Sequence, residues 1–193
     1  MAPSLYISGV GGNSLAEIAV RWFDPERIIS EEEQFDRFRQ SLPHLVVKAV
    51  EARGQATSWR NFHVGCAIYA FKTKAYSVEE RWKTFTGSNI KVAQNVRTVC
   101  AEAITLGAAR AEKYDRIIGM VICGTPQQEE GCVEKFPTLH PCKECRAVFK
   151  ASPEISADTV IITITPNEKI YKIYKFGELL EIHGENENSG MTS

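Results

Sequence analysis

The sequence predicts an α/β fold in which helices cover both faces of a sheet, giving three α-β-α layers. Helical and strand-like patterns alternate along the chain, in the order helix, strand, strand, helix, strand, helix, strand, strand, helix. That alternation is typical of a sheet sandwiched between helices. The strand-like segments are short and mostly apolar, as expected of strands inside such a core.

Composition and length are those of one globular domain with an extension. The chain has 193 residues, of which 44% are hydrophobic and 24% charged, as in ordinary soluble proteins. A net charge of −1 argues against a dedicated nucleic-acid binder. No apolar run approaches the roughly 20 residues that cross a bilayer. The first residues lack a basic segment leading into a long apolar run, so a cytoplasmic location is expected.

The first two predicted helices differ in character. Ser30–Gln40 begins with a capping-box pair, Ser30 and Glu33. It carries acidic residues near its start and basic residues near its end, as a solvent-exposed helix does. Pro43–Ala56 is amphipathic and is predicted to start at its proline. We therefore expect an N-terminal extension of unknown role over residues 1–42 and the domain itself over residues 43–183.

The remaining elements follow from apolar patterns. His63–Phe71 and Arg81–Gly87 are predicted to form a hairpin with an unusually long link. The later elements, in chain order, are a helix within Arg97–Tyr114, a strand at Arg116–Gly124, a short helix at Cys142–Ser152, strands at Asp158–Thr165 and Lys169–Tyr174, and a helix beginning at Phe176. The polar residues 184–193 are expected to form a disordered tail.

Six cysteines in an expected reducing compartment are more often core residues, metal ligands or catalytic groups than disulfides. Cys66 and Cys123 lie in apolar strands and are predicted to be core. Cys132 lies in a polar loop and is predicted to be a surface thiol. Cys100, Cys142 and Cys145 remain to be explained.

These three cysteines are expected to converge on one point. Cys142 and Cys145 are spaced i, i+3, so they share one side of a helix that Pro141 starts. Cys100 begins another helix. Thiolates at helix N-termini gain from free N–H groups and the helix dipole. Three thiolates suit a soft tetrahedral ion such as Zn²⁺ and leave a fourth position open.

An open position indicates a catalytic zinc ion. Such an ion lowers the pKa of bound water to about 7, and the reaction then needs a group that moves protons. Glu102 follows Cys100 by two residues, which places it beside that water. It is therefore predicted to be the proton carrier.

Two other interpretations of the cysteines remain open. A thioredoxin-like redox pair would use Cys142 and Cys145 alone, and would leave Cys100 and Glu102 unexplained. A structural zinc site would need a fourth ligand, for which His140 and Cys132 are the local candidates.

Beyond these residues, the chain resembles the zinc-dependent cytidine deaminases, in the small type whose first zinc ligand is cysteine. The general deaminase signature is a first ligand, one residue and glutamate, and later Pro-Cys-x-x-Cys. Here it stands as Cys100-Ala101-Glu102 and Pro141-Cys142-Lys143-Glu144-Cys145. The segments NFHVGCAIY, TGSNI, TVIIT and FGELL also resemble family segments in the right order. The resemblance covers roughly residues 43–183 and extends to members like blasticidin-S deaminase.

The resemblance implies a cytidine deaminase-like fold with a mixed five-stranded sheet. It also implies a role for each matching position: Zn²⁺ binding by Cys100, Cys142 and Cys145, proton transfer by Glu102, base contacts by Phe62 and the backbone of Ala101, and a sugar contact by Asn89. Family members are commonly tetramers whose sites borrow residues from neighbouring subunits. A homotetramer, or a dimer, is therefore expected.

Several positions depart from the family pattern. Lys91 stands where the family has a glutamate that binds a ribose hydroxyl, so that contact cannot form. Ala103 stands where the family often has an arginine whose positive charge offsets the negative charge of the thiolates. Zinc with three thiolates carries a net charge of about −1, which opposes ionisation of water. Arg146 is the candidate to offset that charge from a position just outside the ligands.

The expected function is hydrolytic deamination of cytidine or deoxycytidine to uridine or deoxyuridine and ammonia, as in pyrimidine salvage. An alternative is an anionic cytosine-type substrate, such as a nucleotide or a blasticidin-like antibiotic, whose charge would pair with Lys91. A third is a nucleic-acid editor or binder. It would use the cations of the first hairpin with its aromatic residues, namely Lys72, Lys74, Arg81, Lys83, Trp82 and Tyr76.

Overall fold

The computed structural model describes residues 29–126 and 136–185. Most of the predicted extension, the loop with Cys132 and the chain beyond residue 185 lie outside the described residues. The helices are α1 Glu31–Gly54, α2 Val78–Arg81, α3 Ala101–Ala111, α4 Lys143–Lys150 and α5 Phe176–Ile182. The strands are β1 Thr57–Ser58, β2 Gly65–Phe71, β3 Trp82–Ser88, β4 Ile90–Lys91, β5 Arg116–Cys123, β6 Val160–Ile164 and β7 Tyr171–Lys175.

The main sheet has five strands in the order β3-β2-β5-β6-β7. Only the β5–β6 pair is parallel and the other three pairs are antiparallel, so the sheet is mixed. The predicted hairpin forms between β2 and β3, with Ile68 opposite Phe85. The predicted α/β class and the mixed five-stranded sheet are confirmed.

Both faces of the sheet are covered, as strand β2 shows. Its residues alternate between two cores: Ile68 belongs to a cluster with Leu106 of α3 and Phe149 of α4. Its neighbour Tyr69 belongs to a second cluster with residues of α1. Because successive side chains point to opposite faces, α1 covers one face and α3 to α5 cover the other. This is the predicted three-layer arrangement.

Helix α1 runs through Pro43, so the predicted start at this proline is wrong. The helix begins instead after Ser30, whose Oγ accepts a hydrogen bond from Glu33 N at 3.2 Å. Proline inside a helix costs a hydrogen bond, but Phe38 and Leu45, on either side of Pro43, are both buried in the core. Burial on the sheet outweighs the local preference of the proline.

Helix α1 packs closely on β2. A side chain at Gly65 would collide with the backbone of Ala49 and Arg53, so glycine is what permits the contact.

Within the described ranges, no helix combines the length and apolarity needed to cross a membrane.

Candidate active site

Two helix N-termini meet and bring three cysteines together. Cys100 is the N-cap of α3 and Cys142 is the N-cap of α4. Cys145 lies in the first turn of α4, and its N–H donates to Cys142 Sγ at 3.4 Å. The free N–H groups and dipoles of two helix starts favour negative charge at this point. The predicted convergence of these residues is what the structure shows.

The position of α3 depends on its contact with β3. A Cβ added at Gly87 would lie 2.5 Å from Thr105 Oγ1 and 3.0 Å from Ala101 O. The Thr105 hydroxyl donates to that same carbonyl at 2.7 Å. Glycine at this position therefore lets the first turn of α3, which follows Cys100, lie directly against the sheet.

The three sulfur atoms fit a tetrahedral zinc ion. The Sγ atoms of Cys100 and Cys142 are 3.7 Å apart, and all three lie within 4.8 Å of one another. Two sulfurs bound to zinc at about 2.3 Å in tetrahedral geometry would be separated by roughly 3.8 Å. Over the described residues, this is the group of potential ligands that can hold a metal ion. The predicted Zn²⁺ site is thus supported by its geometry.

The structure removes one of the alternatives for a fourth ligand. His140 Nδ1 lies 3.1 Å from His183 Nε2, and His140 Nε2 lies 3.0 Å from the Tyr174 hydroxyl. Both ring nitrogens are therefore engaged, and His140 is not available to a metal ion. Cys132, the other candidate, lies outside the described residues. A redox pair of Cys142 and Cys145 alone is also disfavoured, because Cys100 Sγ lies 3.7 Å from Cys142 Sγ in the same cluster.

The thiols share negative charge unevenly. Hydrogen bonds with the side chains of Cys100 and then Cys145 lower the pKa of Cys142. The corresponding hydrogen bonds, with burial, raise the pKa of Cys145. Without a cation, crowding therefore favours one thiolate at a time, and a divalent ion would relieve the repulsion that prevents all three from ionising.

Glu102 is buried beside these thiols, with 4% of its surface exposed. Burial is the largest cause that raises its pKa to about 7, and the negative charge of Cys142 adds to it. A carboxyl group with such a pKa exchanges protons readily near neutral pH, as a general acid and base must.

An open cavity of about 820 Å³ leads to the cysteines. All three thiols line it, together with Phe62, Lys91, Ala103 and the segment 94–99. Its volume is within the range of roughly 300–1,000 Å³ typical of small-molecule sites. The metal site is therefore open to a ligand of that size.

Comparison with known proteins identifies the family. A model of the cytidine and deoxycytidylate deaminase zinc-binding region matches residues 39–163, which is more than half of the chain. The chain belongs to this deaminase family. No curated protein sequence matches the chain significantly.

Solved deaminase structures share its fold at low identity. A cytidine deaminase from Burkholderia pseudomallei is 21% identical with a TM-score of 0.55, and the match covers 71% of this chain and 94% of that one. A mutant cytidine deaminase from Mycobacterium tuberculosis is 21% identical with a TM-score of 0.50, over 72% of this chain and 90% of that one. At identities this low, the structural likeness shows a shared fold and nothing further. The family match and the cysteine cluster together establish a zinc-binding deaminase domain, and support an enzyme of the cytidine deaminase kind.

In this family member, Asn89 has a structural position. It is 1% exposed; its Oδ1 accepts from Val64 N at 2.7 Å and its Nδ2 donates to Phe62 O at 2.8 Å. Asn89 thus holds the loop that presents Phe62 to the cavity, and it is not among the residues that line the cavity. Ala101 is fully buried at the start of α3.

The cavity of this family member carries two cations beside the cysteine cluster. Lys91, from β4, and Arg97, from the segment before α3, both line it. Over residues 29–126 and 136–185, neither forms an ion pair with a carboxylate. Ala103 also lines the cavity, so the position where the family usually has arginine presents only a methyl group here.

Arg146 is already paired. Its Nε and Nη2 donate to the two carboxylate oxygens of Glu185 at 3.0 and 2.7 Å, and its Nη1 donates to Pro141 O at 2.6 Å. Arg146 lowers the pKa of Glu185, so the carboxylate stays ionised at neutral pH. The paired charges largely cancel, which weakens the predicted role of Arg146 as an offset for the thiolates.

Sequence reasoning missed two residues of this region. Arg97 precedes Cys100 by three residues, and that proximity was the available signal. Glu185 lies in the stretch expected to be disordered, but its N–H donates to Leu180 O at 2.9 Å and its side chain binds Arg146. No local pattern marks it, because its partner is 39 residues away.

Proposed function

We propose that this chain hydrolytically deaminates a cytosine nucleoside, converting cytidine or deoxycytidine and water to uridine or deoxyuridine and ammonia. The observation that supports it most is a buried carboxyl group, Glu102, beside three thiols that fit a zinc ion at an open cavity. The family match agrees with this chemistry.

The proposed roles divide between metal and protein. Cys100, Cys142 and Cys145 would hold zinc, which would supply an activated water molecule. The Glu102 carboxylate accepts a proton from water as the oxygen attacks C4, and returns it to N3 of the ring. Glu102 then takes the remaining proton of that water molecule from the oxygen now bonded to C4 and delivers it to the departing amine. The carbon–nitrogen bond breaks and ammonia is released.

Substrate contacts follow from the cavity wall. Phe62 lies in that wall and offers an aromatic side chain against which a pyrimidine can pack. Asn89 supports this arrangement through the loop that carries Phe62. Both polar side-chain atoms of Asn89 already have backbone partners, which argues against a direct contact with the sugar. That contact stays a prediction.

The test is ammonia release from a substrate panel of cytidine, deoxycytidine, cytosine and adenosine. We expect turnover of the first two. Glu102→Ala should abolish it while zinc stays bound at one ion per chain. Activity that survived in Glu102→Ala would disprove the proposed proton carrier, and no turnover of any cytosine compound by the zinc-loaded protein would disprove the proposed reaction.

A second candidate substrate is a cytosine compound that carries an anionic group, such as the phosphate of CMP or the carboxylate of a blasticidin S-like antibiotic. Lys91 and Arg97 favour it, because two cations without carboxylate partners in the described structure line the cavity. An anion between them would gain charge-assisted hydrogen bonds.

Comparing kcat/KM for cytidine, CMP and blasticidin S in wild type and Lys91→Glu decides between a neutral nucleoside and a substrate with an anionic group. A preference for the anion that Lys91→Glu reverses would support the second candidate. The same preference in both proteins would exclude Lys91 from recognition.

The structure offers little support for a nucleic-acid function. Two hairpin cations are paired, Lys72 with Glu80 at 3.0 Å and Lys83 with Glu112 at 2.6 Å, and Arg81 is 3% exposed. The Trp82 ring packs against the rings of Tyr69 and Phe71, with centroids 5.5 and 4.6 Å apart. These groups are occupied within the fold, which leaves Lys74 and Tyr76 as the exposed members of the predicted set. The oligomeric state and the cytoplasmic location stay predictions.

A further inference from the structure

The start of α4, which carries two of the proposed zinc ligands, is held by Arg146, and Arg146 is itself held in an ion pair with Glu185. Pro141 directly precedes Cys142, and its carbonyl accepts from Arg146 Nη1 at 2.6 Å. Arg146 directly follows Cys145. Its guanidinium therefore bonds back to the residue that precedes the N-cap of α4. Cys142 and Cys145 lie in the chain between the two residues that this hydrogen bond joins.

Glu185 fixes the guanidinium in that orientation. Its carboxylate binds Arg146 through two hydrogen bonds, which is the planar and most directional form of this pair. The backbone of Glu185 is itself anchored, because its N–H donates to Leu180 O at 2.9 Å and its carbonyl accepts from Lys150 Nζ at 3.1 Å. Side-chain exposure is 9% for Arg146 and 27% for Glu185, so solvent screens the pair only in part.

We infer that Glu185 is a positioning residue for the metal site, acting through Arg146 on the Pro141–Cys142 segment. Glu185 is neither one of the three clustered cysteines nor one of the residues that line the cavity. By holding Arg146 against the Pro141 carbonyl, it keeps Cys142 at the spacing from Cys100 that zinc requires. This rests on the zinc site and is independent of which cytosine compound is the substrate.

The alternative is that Arg146 acts by its charge on the thiolates. The two ideas predict opposite effects for Glu185→Gln. If charge is what matters, removing the carboxylate leaves a less neutralised guanidinium near the thiolates, and zinc binding should tighten or stay the same. If positioning matters, the weaker hydrogen bonds of glutamine loosen Arg146, and zinc binding should weaken.

The test is zinc affinity of the full chain, measured by competition with a chromophoric chelator and without substrate. We expect Glu185→Gln to bind zinc about 10-fold more weakly than wild type, the lower end of the effect of such supporting residues. Arg146→Lys, which keeps the charge but loses the planar fork, should weaken it similarly.

The matched control is Glu154→Gln. Glu154 binds Arg110 with the same two-bond geometry, at 2.7 and 2.9 Å. Arg110 lies ten positions along α3 from Cys100, a distance of about 15 Å. We expect its zinc affinity to stay within twofold of wild type. Unchanged or tighter binding in Glu185→Gln or Arg146→Lys, or equal weakening in Glu154→Gln, would overturn the inference. Because no substrate is present, a failed activity assay leaves this result unaffected.

Discussion

Replacing Asn89 with alanine would remove the two hydrogen bonds that hold the loop behind the cavity. The Val64 N–H would lose its acceptor at 2.7 Å, and the Phe62 carbonyl its donor at 2.8 Å. Val64 is only 4% exposed, so water cannot readily replace the lost acceptor. Phe62 is half-buried, and its carbonyl can recover part of its hydration.

The expected loss of stability follows from these two environments. Leaving a buried donor unpaired costs about 1–3 kcal/mol, and losing the partly solvated bond costs about 1 kcal/mol. We expect the free energy of unfolding to fall by about 2–4 kcal/mol. In a chain of this size, that corresponds to a fall in Tm of about 4–16 °C. KM should also rise, because Phe62 loses its support.

Urea unfolding and steady-state kinetics on the same samples would test this prediction. The matched control is Asn95→Ala, because Asn95 is an exposed residue of the cavity wall and its loss should leave stability within about 0.5 kcal/mol. If Asn89→Ala raised KM while its unfolding free energy matched that of Asn95→Ala, Asn89 would be a direct substrate contact and the structural interpretation would be wrong.

Three further predictions concern the metal, the proton carrier and pH. Removing zinc with a chelator should abolish activity and lower Tm, and added Zn²⁺ should restore both, since binding to the folded chain stabilises it; an unchanged Tm would contradict a folded-state zinc site. Glu102→Gln should lower kcat at least 10²-fold with zinc content unchanged, and a near-normal kcat would exclude proton transfer by Glu102. Arg110 lowers the pKa of Glu154 from its usual 4.5, so this pair stabilises the fold above that value and stops doing so as pH falls through the lowered pKa. The stability difference between wild type and Glu154→Gln should therefore be present at pH 7 and vanish at strongly acidic pH, as unfolding at several pH values would show; a difference that persisted in acid would mean that the lost hydrogen bonds, and not the charge, carry the effect.

The two halves of the cysteine cluster could be predicted from sequence because the spacing within each is local, whereas Cys100 and Cys142 are 42 positions apart and were expected to meet only because each begins a helix. Cys142 and Cys145 share a helix side by the i, i+3 rule, and Glu102 follows Cys100 within one turn. The sheet could be predicted as well, since apolar runs mark its strands. These features depend on neighbours in the chain.

Features that depend on distant contacts could not be predicted. The continuation of α1 through Pro43 depends on burial of Phe38 and Leu45 against the sheet, which local propensity does not report. The position of Asn89 depends on Phe62 and Val64, more than 20 residues earlier. The environment of Arg146 depends on Glu185, which looks like part of a polar tail.

The contact at Gly87 limits how this site can be engineered. Even alanine there would have to displace Thr105 or the Ala101 carbonyl, moving the turn that carries Glu102, the proposed proton carrier. A mutational library should therefore leave this position fixed. Gly107, on the same helix, has no atom within 4 Å of an added Cβ. Alanine there should raise helix stability by about 0.5–1 kcal/mol, which makes Gly107 the place to gain robustness without disturbing the catalytic geometry.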